Sequence, residues 1–175
     1  MKVNQILTYT IFPALIAVLF YFNPNVTLYS IPVFILGLLF WNMFEYVFHR
    51  FAFHNPALPR KLKRTLGNGH RFHHRYPEKA EDIQLPITLT LPFSLLSLLL
   101  VYLVIGATQL GWYYLGLILG LYSYEFMHYA AHHLKINLWF FKWMKRYHLM
   151  HHHKTPNSKF MVSNPFYDYL FRTHR

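Results

Sequence analysis

The sequence predicts an all-α integral membrane protein, with four transmembrane helices in two hairpins and a cytosolic, histidine-lined cap that holds a dimetal site. Two stretches, 3–44 and 83–124, are each 42 residues long and contain no Asp, Glu, Lys or Arg. A membrane-spanning helix needs roughly 20 apolar residues, so each stretch is long enough to cross a bilayer twice. Twelve of the 13 histidines fall in the two windows that follow, 49–74 and 128–153.

The composition argues against an ordinary soluble protein. Charged residues make up 13% of the chain, which is about half their share in a typical soluble domain. A soluble fold of 175 residues would have to bury both charge-free stretches, and a core of that size rarely does so. The chain has no cysteine, which excludes disulfides, thiolate metal sites and thiol catalysis.

The distribution of positive charge predicts orientation in a membrane and no nucleic-acid partner. The net charge is +11, but all 17 Lys and Arg residues lie at Lys2, within 50–79 or within 135–175. Cations that flank apolar spans mark the cytoplasmic side. We therefore expect both termini and the histidines on the cytoplasmic side of a bacterial inner membrane or of the endoplasmic reticulum. The basic segment 60–64 is expected to rest on anionic headgroups.

The apolar stretches divide into two predicted hairpins. The first has spans at about 6–22 and 28–48, joined by the turn Asn23-Pro24-Asn25. That turn is a poor cleavage site, so the first span is expected to be retained rather than removed as a signal peptide. The second hairpin has predicted spans at about 85–105 and 112–127. The predicted cap comprises 49–82 and 128–175, and the whole chain, 1–175, is expected to form one domain.

The histidines occur in four boxes whose spacing suits metal ligation. Residues at i and i+4 lie about 40° apart around an α-helix and i+3 lies nearby, so imidazoles at these spacings can converge. Ligation by imidazole nitrogen alone suits zinc, iron, copper or nickel. The boxes are internal, which distinguishes them from a terminal affinity tag. The predicted ligands are His49 and His54; His70, His73 and His74; His128 and His132; and His148, His151 and His152.

The boxes form an internal repeat. His54 precedes His70 by 16 residues, His132 precedes His148 by 16, and each pair leads into the pattern H-x-x-H-H. The opening boxes differ by one residue, H-x4-H in the first repeat and H-x3-H in the second. Ten candidate ligands in two similar half-sites predict two metal ions with about five ligands each. A hydrolytic zinc site needs only three protein ligands, so the pattern favours redox chemistry on a lipid.

Several residues near the boxes are expected to support the site. Glu45 lies one helical turn before His49, and we expect it either to pair with Arg50 or a neighbour, or to accept the second N–H of a ligand imidazole. The segment 138–150 mixes aromatic and cationic residues as an interfacial helix does. The aromatic tail 164–171 is expected to pack under the site. The supporting candidates are Glu45, His133, His153, Asn164 and Asp168.

The four boxes, in this order, resemble the fatty acid hydroxylase superfamily of membrane di-iron oxygenases. The segments that most resemble fatty acid 2-hydroxylases, which act on the acyl chain of ceramides and related lipids, are Trp41 to His54, Tyr124-Glu125-Phe126-Met127-His128 and Asp168-Tyr169-Leu170-Phe171. The resemblance covers nearly the whole chain. It implies catalytic roles for Tyr124 and for Glu125, which stands where the family usually has aspartate.

The resemblance implies two iron ions, O2 and an external electron donor, with zinc as an alternative occupant in the purified protein. The 175 residues contain no fused cytochrome b5 domain, so a separate donor of cytochrome b5 or ferredoxin type is expected, and a basic surface suits it. The expected reaction is O2-dependent hydroxylation of a membrane lipid, at C2 of a free or ceramide-linked acyl chain. Carotenoid hydroxylation and sterol or acyl desaturation use the same kind of site and are alternatives. Metal transport is disfavoured, because transport sites lie near the bilayer midplane and the boxes lie at or beyond the span ends.

Overall fold

The structure, a computed structural model, describes residues 3–79 and 84–175. Within those residues it consists of α-helices and one π-helical turn, with no strand. Lys2, Ile83 and the predicted cap residues 80–82 lie outside the described part. The elements are α1 (Val3–Phe22), α2 (Ser30–Val47), the π turn (Phe48–Phe53), α3 (Arg60–Leu66), α4 (Asn68–Arg75), α5 (Ile87–Ile105), α6 (Leu110–His133), α7 (Trp139–His153) and α8 (Phe166–Leu170).

The four predicted spans fall on α1, α2, α5 and α6. Three segments are long and apolar enough to cross a membrane: α1, α5 and the continuous segment Ser30–Phe53 formed by α2 and the π turn. The 24-residue α6 contains the predicted fourth span, but it is not among these candidates within the described residues. Its five tyrosines, three histidines and Glu125 make it less apolar than the other three segments.

The chain divides into two compact units. Unit 1 comprises Met1–Trp41 and Gln84–Tyr122, and unit 2 comprises Asn42–Ile83 and Ser123–Arg175. The boundaries fall inside α2 and α6, so each of these helices supplies residues to both units. All 13 histidines of the chain belong to unit 2. The assignment of 1–175 to one domain stays a prediction.

Close helix packing holds unit 1 together. A Cβ atom at Gly37 would lie 2.1 Å from the Tyr113 carbonyl oxygen, and one at Gly116 would lie 2.0 Å from the Phe34 carbonyl oxygen. Neither position has room for a side chain, so glycine lets the backbones of α2 and α6 approach. Small residues play this part between transmembrane helices, where no water drives apolar surfaces together.

Unit 2 contains the amphipathic helix α7. Its buried face consists of Met144, Tyr147, His148 and His151, while cations occupy the other face. An amphipathic helix of this kind buries its apolar side and leaves its polar side in water. In α7 the buried side also contains two of the predicted metal ligands, so burial of the helix positions the site.

Candidate metal centre

The structure gathers ten histidines into two groups of five. In each group, one nitrogen from every imidazole lies within 4.8 Å of the corresponding nitrogens of the other four. The ten are the predicted ligands, and among the described residues no other His, Asp or Glu joins such a group. Cluster A comprises His49, His54, His70, His74 and His151, and cluster B comprises His73, His128, His132, His148 and His152.

The central histidine of each H-x-x-H-H triplet crosses to the cluster of the other repeat. His73 of the first repeat belongs to cluster B, and His151 of the second repeat belongs to cluster A. Helix geometry explains this division. The first and third residues of a triplet lie about 40° apart around the helix, whereas the second and third diverge by about 100°. Sequence spacing suggested that all three nitrogens converge; the structure instead lets each triplet serve two sites.

A π turn accounts for the extra residue in the first box. On an α-helix, residues i and i+5 point about 140° apart, so His49 and His54 could not face one site. The backbone between them is a π-helical turn in which the His54 N–H donates to the His49 carbonyl at 3.2 Å. An i→i+5 hydrogen bond stacks residue i+5 over residue i. H-x4-H on a π turn thereby matches H-x3-H on the α-helical α6.

The spacing between ligand nitrogens fits a metal ion with five or six ligands. Two nitrogens about 2.1 Å from one ion are about 3.0 Å apart at a 90° angle and about 3.4 Å apart at the tetrahedral angle. The closest nitrogen pairs, all Nε2 to Nε2, favour the 90° arrangement. They are His49–His151 at 3.1 Å, His54–His70 at 2.8 Å and His54–His151 at 3.2 Å in cluster A, and His73–His128 at 2.8 Å, His132–His148 at 2.9 Å and His148–His152 at 3.0 Å in cluster B.

Hydrogen bonding alone does not satisfy these nitrogens. His151 Nδ1 lies 2.7 Å from the Ser158 carbonyl oxygen, so Nδ1 carries the hydrogen and Nε2 of a neutral ring can only accept. His54 Nε2 would then donate to His151, and the same hydrogen would have to serve His70 as well. A shared cation satisfies all three lone pairs at once. The Ser158 carbonyl also fixes the His151 tautomer and ring orientation, as partners of metal-bound imidazoles do.

Burial keeps imidazoles of the two clusters in the neutral form that binds metals. Loss of solvation lowers the pKa of His54 and of His132 to about 3, and the pKa values of His73 and His151 to about 4. Nearby imidazoles lower the pKa further, because two protonated rings in one cluster repel each other. At neutral pH these rings therefore offer a lone pair rather than a positive charge.

The segment before α8 packs against cluster A through Phe160. The centroid of its ring lies 5.8 Å from each of the rings of His49, His54 and His151. Phe160 is 4% exposed, so it shields that side of the cluster from water. Nothing in the local sequence marks this phenylalanine or the Ser158 carbonyl as part of the site, because both reach it only through the tertiary fold.

Asp168 organises the same segment. Its fully buried carboxylate accepts hydrogen bonds from the backbone N–H groups of Phe160 at 3.1 Å and Met161 at 2.8 Å. It also accepts from the hydroxyls of Thr173 at 2.6 Å and Tyr147 at 3.0 Å. Burial and the Asp168 charge raise the pKa of Tyr147, so this phenol stays protonated as a donor. Asp168 therefore supports cluster A through Phe160 and contacts no ligand imidazole in these bonds.

Glu45 has partners that differ from both expectations. Its carboxylate accepts from the Val162 N–H at 2.6 Å, from the Ser163 N–H at 3.0 Å and from the Ser163 hydroxyl at 2.5 Å. Arg50 instead donates to the Tyr46 hydroxyl at 2.6 Å. Glu45 is 3% exposed, and these bonds offset part of the cost of burying its carboxylate. Like Asp168, it holds the segment that covers cluster A.

The remaining predicted residues lie near the clusters without joining them. Tyr124 is buried with its ring 5.4 Å from that of His128, and Glu125 is also buried. His133 stacks near Tyr129 at 4.9 Å. His153 is exposed, and the Asn164 amide donates to the Asn42 side chain. Catalytic roles for Tyr124 and Glu125 stay a prediction.

The sequence is similar to one protein-family model and to several known proteins. The sequence model of the fatty acid hydroxylase family matches residues 34–173. A dihydroceramide fatty acyl 2-hydroxylase of Arabidopsis thaliana is 30% identical over 152 residues, which cover 82% of this chain and 60% of that protein. A ceramide very long chain fatty acid hydroxylase of Saccharomyces cerevisiae is 33% identical over 84% of this chain and 39% of its own length. The fatty acid 2-hydroxylase of Mus musculus is 32% identical over 82% of this chain and 39% of its own length.

A solved structure has a similar fold. It is that of full-length Scs7p, in which only the hydroxylase domain is visible, and it superposes with a TM-score of 0.74 at 28% identity. The match covers 98% of this chain and 65% of the other. The chain thus spans between about two fifths and two thirds of the length of the proteins that it matches.

Proposed function

The chain belongs to the fatty acid hydroxylase family, and from that premise we propose that it is a di-iron membrane monooxygenase. The proposed reaction inserts one oxygen atom from O2 into a fatty acyl chain, at C2, with the acyl chain free or linked in ceramide or another sphingolipid. The observation that carries the proposal is the arrangement of ten imidazoles in two clusters of five. The names of the relatives support acyl lipids as substrates and C2 as the position.

The ten clustered histidines are the proposed ligands, one ion to each cluster. The chemistry that two bound iron ions supply is activation of O2 and attack on an unactivated C–H bond. Nitrogen pairs near 3.0 Å support five or six ligands, whereas structural and hydrolytic zinc sites are usually tetrahedral. Zinc can still occupy such a site in purified protein, because imidazole ligands do not discriminate strongly between the two metals.

Other residues of the chain are proposed to support the reaction. The Ser158 carbonyl orients His151, and Phe160 excludes water from one side of cluster A. Tyr124 and Glu125 are proposed to assist catalysis, because Tyr124 lies beside the ligand His128 and the family motif falls on both residues. The two electrons of each turnover are proposed to come from a separate donor protein.

We also propose the membrane arrangement that the sequence predicted. In it, residues 112–127 of α6 form the fourth span, and the helix continues beyond the span to His128 and His132 of cluster B. Both termini and the two clusters lie on the cytoplasmic side, of a bacterial inner membrane or of the endoplasmic reticulum. The basic residues near the histidines and their absence from both hairpin turns support this orientation.

The proposal is tested by lipid analysis of a host that expresses the protein. We expect 2-hydroxy acyl chains in the total lipid hydrolysate, detected by mass spectrometry, and none above background with His148→Ala. The purified, iron-loaded protein supplied with a reductant, O2 and an acyl lipid should give the same product. No oxygenated product from free fatty acid, ceramide or phospholipid would refute the enzymatic function. A double bond in place of the hydroxyl group would reassign it as a desaturase.

A further inference from the structure

The outward face of α7 presents a row of cations. Lys142, Arg146, Leu149, Met150, His153 and Lys154 line one open cleft of about 630 Å³, which Lys145 also borders. These residues recur at intervals of three and four, so they occupy one face of the helix. Leu149 and Met150 are half-buried and form the floor, while Lys142, Arg146 and Lys154 are exposed around it. We call this set the basic stripe.

The charges of the basic stripe are not compensated within the described part of the chain. Lys145 donates to the Leu134 carbonyl at 3.1 Å, but among the described residues no hydrogen-bond or ion-pair partner faces Lys142, Arg146 or Lys154. The only acidic residue from 126 to 175 is Asp168, which is fully buried. The field of the stripe therefore extends into solvent and attracts anions.

The equivalent face of α4, in the first repeat, is different. A cleft also lies over that helix, beside Arg71, Phe72 and Arg75. Arg71, however, donates to the Lys63 carbonyl at 2.7 Å and to the Asn68 side chain at 2.6 Å. Arg75 packs over the Tyr76 ring at 5.8 Å. The cations of α4 thus have intramolecular partners, and those of α7 are available to another molecule.

The basic stripe also lies one helix away from the metal ligands. His148, His151 and His152 project from the other side of α7, and the separation is about the diameter of a helix, ~10 Å. His153 lines the cleft, and its ring centroid lies 6.0 Å from that of the cluster B residue His152. A group bound on the stripe therefore lies beside a short, ring-lined path to cluster B.

We propose that the basic stripe is the docking surface for a soluble, acidic, one-electron carrier protein. The proposal rests on the proposed hydroxylation, whose balance is RH + O2 + 2 e⁻ + 2 H⁺ → ROH + H2O. Each turnover consumes two electrons, which a carrier protein would have to deliver to the two proposed metal ions. Opposite charge steers such encounters and sets their rate. The acidic surface of the carrier meets Lys142, Arg146 and Lys154, with apolar contact to Leu149 and Met150.

A membrane surface is the other large anionic partner, and the shape of α7 fits it less well. A helix that lies in an interface turns its apolar residues outward into the lipid. The exposed aromatic residues of α7, Trp139 and Trp143, lie in its first two turns, whereas Met144 and Tyr147 are buried and the apolar residues of the stripe form the floor of a cleft. A protein surface with protruding carboxylates fits the shape of this cleft.

The test compares two charge-reversal variants of the full, metal-loaded chain. Lys142→Glu/Arg146→Glu/Lys154→Glu alters the basic stripe. The matched control, Arg60→Glu/Lys61→Glu/Arg64→Glu, reverses three exposed cations of α3. Stopped-flow absorbance records oxidation of reduced cytochrome b5, or of a reduced [2Fe–2S] ferredoxin, by the protein in detergent at several salt concentrations. A small neutral mediator at a poised electrode replaces the carrier in a parallel series.

We expect the stripe variant to slow the carrier reaction about tenfold or more at low salt and to lose most of its salt dependence. The control should stay within about twofold of the wild type. Mediator reduction and metal content should be equal in all three proteins, which excludes misfolding as the cause. Equal slowing by both variants, or no slowing by the stripe variant, overturns the proposal. So does loss of binding to anionic phosphatidylserine vesicles with an unchanged carrier rate.

The proposed reaction can fail separately from the docking surface. If mediator-driven turnover gives no hydroxylated lipid but the carrier reaction still depends on the stripe, the docking surface stands and the hydroxylase function falls. If hydroxylated lipid forms and the stripe variant accepts electrons from the carrier as fast as the wild type, the docking surface alone is refuted.

Discussion

Cluster A and cluster B contain five imidazoles each, but different backbones hold them. Cluster B takes four histidines from α6 and α7, helices of 24 and 15 residues. Cluster A takes His49 and His54 from a six-residue π turn and its end, and two more histidines from the eight-residue α4. Long helices hold their side chains in place, whereas a π turn and a two-turn helix are marginal by themselves.

The weaker backbone of cluster A has a support that links it to the second repeat. His151 enters cluster A from α7 and is oriented by the Ser158 carbonyl, and Phe160 packs on three rings of that cluster. Glu45 and Asp168 hold the same segment through buried hydrogen bonds. The two repeats thus supply similar sets of histidines, and the segment after α7 stabilises the less regular first repeat.

The largest expected effect comes from lengthening the π turn. Inserting one alanine after Ala52 changes H-x4-H to H-x5-H. The sixth residue after His49 points away from it on an α-helix and on a π turn alike, so His54 leaves cluster A. We expect the metal content to fall from two ions to about one per chain, with at least a 100-fold loss of turnover. Inductively coupled plasma mass spectrometry of the purified protein measures the ions.

The matched control inserts one alanine after Ala130, which gives the third box the spacing of the first. The regular α6 has no π turn to accommodate it, so cluster B should lose its ion instead. Two ions retained in the variant with the insertion after Ala52 would mean that the π turn does not position His54.

The next largest effect tests whether the central histidine of a triplet belongs to the cluster of the other repeat. His73 lies in the first repeat but in cluster B, so His73→Ala should weaken binding of the same ion as His132→Ala does. The affinity for that ion should fall by roughly 100-fold, more than after loss of a hydrogen-bond partner of a ligand imidazole. The double variant His73→Ala/His132→Ala should keep one tightly bound ion. The double variant His73→Ala/His70→Ala should keep none, because its two changes fall in different clusters. Titration with a competing chelator resolves the two affinities.

The reverse result, with one ion kept by His73→Ala/His70→Ala and none kept by His73→Ala/His132→Ala, would contradict the crossing of the triplets. His133→Ala, made in the same background, controls for loss of any neighbouring imidazole.

The sequence was sufficient to identify the ten histidines that cluster and insufficient to divide them between the two clusters. Spacing and hydropathy are local, so they located four helices and all ten clustered histidines. Which cluster receives His73 or His151 depends on how α4 and α7 face each other, and no local pattern encodes that. The contact between Glu45 and Val162 spans 117 residues, beyond any periodicity. The mismatch between H-x4-H and H-x3-H was a readable signal of the π turn, since only a change of helix type makes the two boxes equivalent.

A smaller and selective effect is expected from Asp168→Asn. The amide keeps the shape but weakens bonds that Phe160, Met161 and Tyr147 donate to the buried carboxylate, at a cost of about 2–3 kcal/mol. The melting temperature should fall by about 5–10 °C, and cluster A should release its ion faster than cluster B, because Phe160 covers only cluster A. Chelator-induced release, followed in time, should become biphasic. Equal acceleration of both phases would show that Asp168 stabilises unit 2 as a whole.

The smallest expected effect is that of His133→Ala, with His132→Ala as the comparison. The two residues are neighbours on α6, and their side chains point about 100° apart. His132 Nε2 lies 2.9 Å from His148 Nε2 in cluster B, whereas the His133 ring stacks near Tyr129 outside both clusters. We expect His132→Ala to release the cluster B ion and His133→Ala to retain two ions with turnover within a few fold of the wild type. Metal analysis and lipid mass spectrometry on the pair measure both. Loss of an ion from His133→Ala would show that cluster B includes a sixth imidazole. The two clusters would then differ in their number of histidines.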